Sequence, residues 1–116
     1  MAKHNKLGKD GELIAFMILQ RDGYKILETN WRYQKAEIDI IAQKDGFLIF
    51  TEVKTRSSKK FGRPEEAIDK KKISLYQDAA ENYLEALNLD LEIRFDVISI
   101  VISKDKTDIE HIPNAF

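Results

Sequence analysis

Asp39 and Glu52, with Lys54 two residues further on, are the residues of this chain whose types and spacing could do chemistry. Asp39 lies in Glu37-Ile38-Asp39-Ile40-Ile41 and Glu52 in Phe50-Thr51-Glu52-Val53-Lys54, so both acids sit in apolar runs that read as strands. Asp45-Gly46 between the runs is a strong hairpin signal. With that two-residue loop Lys44 faces Phe47, and counting back sets Asp39 opposite Glu52 and Glu37 opposite Lys54. A four-residue loop gives the same pairs. Directly opposed side chains have Cβ atoms about 4.5–5.5 Å apart, where like charges are destabilising. Two carboxylates facing each other on a half-buried sheet need a cation or a shared proton. Hard divalent ions prefer oxygen ligands, and Mg²⁺ is typically held by one or two carboxylates plus water and substrate phosphate. Lys54 shares a face with Glu52 by period-2 alternation. There its ammonium could orient or help deprotonate a water, or stabilise charge on a phosphate, with Glu37 opposite to hold it. The plainer alternative is a Glu37–Lys54 ion pair beside a partly exposed acid mismatch. Acid-x-Lys alone is common, and the opposing Asp39 is what gives it weight.

The elements that must position these residues follow from periodicity. A first helix is expected from about Lys9 to Arg21, largely buried because Leu13, Ile14, Phe16, Met17, Ile18 and Leu19 cover most of its circumference. Gly23 ends it. Strands are expected over 24–31, 36–43 and 47–55, with a polar connection at 32–35. A basic loop, 56–63, leads to a second helix that opens at Pro64 and runs to about Leu87. Its stripe is Ile68, Leu75, Tyr76, Ala79, Ala80, Tyr83 and Leu87. A long apolar strand, 92–103, and a shorter one near 109–112 complete the chain. The order α-β-β-β-α-β, with the second helix as a crossover to a parallel strand, predicts a mixed sheet flanked by helices in one domain spanning 1–116.

Bulk properties narrow the function classes. The absence of cysteine excludes disulfides and thiolate metal sites, and it favours a reducing, cytoplasmic setting. No apolar run is long enough to span a membrane, so no membrane partner is expected. The net charge of −1 is unlike a typical phosphate binder, but the charge is polarised. Eight basic residues face three acids between Lys54 and Lys72, whereas six acids face one Arg between Asp78 and Asp96. Arg56, Lys59, Lys60 and Arg63 follow the Glu52 strand and could track phosphates, which position a nucleic acid without reading its sequence. Lys72 lies in the stripe of the second helix, where a buried stem could deliver its head to the site, although a helix-edge position fits the pattern as well. Trp31 and Tyr33 could stack on bases, although a core role suits Trp31 better. His4 and His111 are isolated and are not read as ligands.

Taken together, Gly8-Lys9-Asp10-Gly11-Glu12, the run from Gly23 to Arg32, Ala36-Glu37-Ile38-Asp39-Ile40-Ile41, Phe50-Thr51-Glu52-Val53-Lys54-Thr55-Arg56 and Phe61-Gly62 resemble the YraN family of predicted endonucleases. That family has the restriction-endonuclease-like fold and is related to archaeal Holliday-junction resolvases. Its pattern has Gly where this chain has Ala36 and usually Val where it has Thr51, neither a ligand position. The resemblance implies a restriction-endonuclease-like α/β core and a Mg²⁺- or Mn²⁺-dependent endonuclease acting on branched or structured DNA. It also implies that Asp39, Glu52 and Glu12 hold the metal and that Lys54 assists the attacking water. Glu12 has a separate argument: Ala15, Phe16 and Leu19 lie on its side of the first helix, and an acid on a buried face should be paired or functional. A solvated Glu in a first helical turn is the alternative. Cutting two strands would take two active sites, which a homodimer would supply.

Overall fold

The computed structural model describes residues 2–58 and 69–116. Helix α1 (Ala2–Arg21) is followed by β1 (Lys25–Tyr33), β2 (Ala36–Lys44), β3 (Phe47–Arg56), α2 (Lys70–Ala86), β4 (Glu92–Ile102) and β5 (Thr107–Ile112). The strands form one mixed sheet in the order β1-β2-β3-β4-β5. Only β3 and β4 are parallel, as a helical crossover between them allows. The described residues therefore form an α/β fold with a five-stranded mixed sheet and two helices.

The two helices serve separate cores. Tyr76, Ala79, Ala80 and Tyr83 of α2 pack on Ile38, Ile41, Leu48 and Phe50. Ala15 and Leu19 of α1 pack with Ile40, Ala42, Ile98 and Ile100. The helices thus lie on opposite faces of the sheet. Helix α1 is not largely buried as its composition suggests: Leu13 and Met17 are each 59% exposed. It meets a sheet on one side only, so an apolar circumference cannot all be covered. It also begins well before Lys9.

Three other boundaries differ from the sequence reading. Strand β1 runs on to Tyr33, because Gln34 adopts a left-handed φ of 54° and turns the chain within Gln34-Lys35. Helix α2 starts at Lys70 rather than Pro64: Asp69 is extended and caps it, its carboxylate accepting from Lys72 N at 2.8 Å. Arg56 is the last residue of β3, in register with Val101, and not a loop residue. Pro64 and Ile68, with the predicted phosphate contacts Lys59, Lys60 and Arg63, lie outside the described residues.

Asp45-Gly46 makes the predicted turn, and Lys44 pairs with Phe47. The β2–β3 ladder then continues only as far as Ile40–Thr51. Ile38 belongs to the α2-side core and Ile40 to the α1-side core, although a regular strand would put both on one face. The alternation of β2 is therefore broken at Asp39. Strand β1 is irregular alongside it: its register shifts between Ile26 and Glu28, and Asn30, between Thr29↔Ile40 and Trp31↔Ile38, has φ 51°. Irregularities of this kind are over-represented next to functional sites because they re-aim side chains.

Candidate metal and phosphate site

The break in β2 opens a notch at the carboxyl end of β3. Open α/β sheets commonly bind ligands beyond the carboxyl ends of their parallel strands. A cavity of about 360 Å³ lies there, with Glu12, Glu37, Asp39, Glu52, Lys72 and Tyr76 in its wall. Its wall draws on α1, β2, β3 and α2, so the notch reaches from one helix to the other.

Each acid is placed by a local feature. Asp39 does not meet Glu52 as a ladder pair. Its Oδ2 instead accepts from the backbone N–H of Val53 at 2.8 Å, taking the place of a strand carbonyl where β2 and β3 part. Glu52 continues the regular alternation of Leu48 and Phe50 toward α2. There its Oε1 accepts from the Tyr76 hydroxyl at 2.6 Å and its Oε2 lies 2.5 Å from Lys72 Nζ. Glu12 is brought in by the close approach of α1 to β3. A Cβ on its neighbour Gly11 would overlap the Thr55 side chain, so only glycine lets the helix lie this close.

The electrostatics follow. Burial pushes the Asp39 carboxyl up to about 7; the Val53 amide opposes this, and the charges of Glu52 and Glu12 add to it. Glu12 is also raised, by burial first, with Asn30 working against the shift and Glu37 adding to it. Burial and then Glu52 raise the Tyr76 hydroxyl far enough to keep it a donor. Among the described residues, Lys72 is the one cation ion-paired with Glu12, Asp39 or Glu52; the fourth acid of the wall, Glu37, pairs with Arg32.

Lys54 is half-buried, on the Glu52 face of β3 by alternation, but it is not part of the cavity wall. The expected Glu37–Lys54 pair does not form. Glu37 is opposed by Arg32 on β1 and pairs with it at 3.3 Å, because the β2–β3 ladder has already ended. Lys72 reaches the site as its place in the helical stripe suggested. Trp31 packs on the α2-side core, stacked on Tyr33 and edge-on to Tyr83. His111 belongs to a separate cluster on Asp96. The sequence reading treated Tyr76 as core only. Its spacing of four residues from Lys72, one helical turn, was the signal that both present the same face.

The donor set fits a hard divalent ion in its chemistry: four carboxylates line one cavity, Glu37 being paired with Arg32, and Glu12 and Asp39 have raised pKa values that a nearby cation would relieve. Among the described residues no three acidic or histidine side chains stand as a ready-made ligand set. Glu52 in particular has both oxygens engaged by α2.

An acid-lined notch in an α/β sheet, faced by a helix that begins with three lysines, defines the class of site. The chain belongs to UPF0102, described as an uncharacterised protein family, whose model matches residues 11–100. A UPF0102 protein of Flavobacterium psychrophilum is 52% identical over 116 residues, spanning all of this chain and 98% of the relative. One of Christiangramia forsetii is 50% identical with the same coverage. One of Bacteroides thetaiotaomicron is 43% identical, over all of this chain and 96% of the relative.

Proposed function

We propose that the protein is a metal-dependent endonuclease that hydrolyses phosphodiester bonds in branched or otherwise structured DNA. The observation that carries this reading is the convergence of Glu12, Asp39 and Glu52 on one cavity beside Lys72. Asp39, Glu52 and Glu12 would hold Mg²⁺ or Mn²⁺. When bound, such an ion polarises a phosphoryl oxygen and lowers the pKa of a coordinated water. The chain's own residues supply the rest. Asp39 and Glu52 hold negative charge at fixed places on a rigid sheet, and Tyr76 orients Glu52 through its hydroxyl. Lys54 stands on the Glu52 face of β3, outside the cavity wall, and in this reading it would assist the attacking water.

The first turn of α2, Lys70-Lys71-Lys72, supports a phosphate-binding role. A helix N-terminus favours acids, yet this one carries three cations and no acid, with Asp69 as its cap. Cations there oppose the helix dipole and cost stability, whereas cations and dipole together suit an anionic ligand. Arg56, and the Lys59, Lys60 and Arg63 segment that follows, would extend the contact along the backbone. Phosphate contacts of this kind bind DNA without sequence preference and weaken as salt rises.

A second reading, a protein-interaction domain on the same fold, draws on the mostly apolar groove between α1 and β5, lined by Ile14, Met17, Ile18, Arg21 and Ile109. The two are separated by incubating the protein with duplex, forked and four-way DNA in Mg²⁺, Mn²⁺ and chelator. Cleavage of the branched forms in metal alone is expected. Neither binding nor cleavage of any form would favour the interaction domain.

A further inference from the structure

Glu52 is the most enclosed acid of the notch, its side chain only 8% exposed, and both its oxygens are held by one face of α2. Lys72 is different in kind. Its side chain is 36% exposed and lines the cavity, and its flexible stem carries a compact charge that can move without disturbing the backbone. Its ammonium lies on Glu52 Oε2, a position that a divalent ion ligated by that oxygen would need. A divalent ion on that oxygen would repel the ammonium beside it, so the two cations compete for Glu52.

We infer that Lys72 is the resident counter-cation of the site: it neutralises Glu52 in the metal-free protein and gives up that oxygen when a divalent ion enters. Ion binding is then an exchange of one cation for another. It moves an ammonium from Glu52 into the open part of the cavity, where a phosphate of the substrate would meet it. Lys72 is a positioning residue in this scheme, and it couples metal entry to the supply of a phosphate contact. The inference rests on the metal-dependent reading above. It differs from a fixed structural salt bridge in the sign of one effect. Removing a structural partner costs stability and leaves ion affinity unchanged or weaker, since Glu52 loses its orientation. Removing a competitor costs stability without the ion and raises affinity for it.

The test is calorimetric titration of Mn²⁺ into the wild type and Lys72→Met, with thermal melts of both in chelator. Lys72→Met should melt lower in chelator yet bind Mn²⁺ about tenfold more tightly. Binding by the variant alone would support exchange still more strongly. Binding by both, with the variant equal or weaker, overturns the exchange and leaves the metal-dependent reading intact. Binding by neither at millimolar Mn²⁺ overturns both. Should Lys72→Met not fold, the Lys72 side-chain ammonium resonance can be followed in wild type as Mg²⁺ is added. Exchange requires it to move from an ion-paired to a solvated position, and an unchanged resonance at saturating Mg²⁺ contradicts it.

Discussion

At Asp39 the demands of a site and of a stable fold pull in opposite directions. Burial, opposed by the Val53 amide and reinforced by Glu52 and Glu12, raises its carboxyl to about 7. An unfolded Asp ionises near 4. Between about pH 4 and 7 the folded chain therefore keeps a proton that the unfolded chain has lost, and this group subtracts stability as pH rises through that window. Asp39→Asn removes the effect while its side-chain carbonyl can still accept from Val53. In chelator, urea unfolding at pH 5 and pH 8 should show the wild type losing on the order of 2 kcal/mol more than Asp39→Asn across that interval. Parallel behaviour would mean that Asp39 does not carry the strain. Asp39 and Glu52 both line the cavity, but the ladder pair that hairpin arithmetic gives does not form, because the β2–β3 ladder ends at Ile40–Thr51. That end was not legible: Ile38 and Ile40 join different cores, which the period of two does not show. Tyr76 was hidden for a similar reason: a tyrosine in an apolar stripe reads as core until its hydroxyl is seen on Glu52.

At the scale of elements, the glycine inside α1 is more informative than its apolar residues. Replacing a mid-helix Gly with Ala ordinarily stabilises by about 0.5–1 kcal/mol. At Gly11 the added Cβ would overlap Thr55, whose branched side chain on β3 has little room to yield. Gly11→Ala should therefore destabilise the protein, typically by about 1–3 kcal/mol, and displace Glu12 from the cavity. A higher melting temperature for Gly11→Ala would show that α1 does not need this approach. The first turn of α2 makes the opposite trade. Lys70→Glu with Lys71→Glu puts acids where the helix dipole favours them, worth about 0.3–1 kcal/mol each, while removing two exposed cations from the site's edge. The double variant should melt at or above wild type yet bind DNA more weakly at every sequence, with a shallower salt dependence in fluorescence anisotropy. Unchanged affinity would move the phosphate contact elsewhere. Helix α2 itself was legible from its stripe but not its start. Pro64 followed by acids is a good local signal, and the Asp69 cap competes with it from within the same stretch.

At the scale of the molecule, a mixed sheet with a parallel strand after the helical crossover was foreseeable from the alternation of strands and helices, but the strand order was not. Nor was what closes the far side. Asp96 is fully buried and gathers Arg94 through two bonds at 2.9 and 2.8 Å, His111 at 2.7 Å and the backbone N–H of Asn114 at 3.0 Å. Burial alone would raise this carboxyl, but these bonds outweigh it and hold the group below the usual range. The cluster ties β5 and the C-terminal residues to β4, and His111 and Asn114 lie too far from Asp96 in sequence to be paired with it by pattern. Asp96→Ala leaves Arg94 without its partner and should cost about 3–5 kcal/mol in chemical denaturation. A loss below 1 kcal/mol would show that the cluster is dispensable. The far-side anchor and the acid notch are separate features of one sheet. In the proposed function Asp39 serves hydrolysis rather than folding. Its most direct test compares wild type and Asp39→Asn on a four-way DNA junction in Mn²⁺, after circular dichroism has shown both to be folded. Cleavage by wild type that chelator stops, and none above background by Asp39→Asn, is the predicted result. Cleavage at the same rate by both, or by neither on any branched DNA, would contradict it.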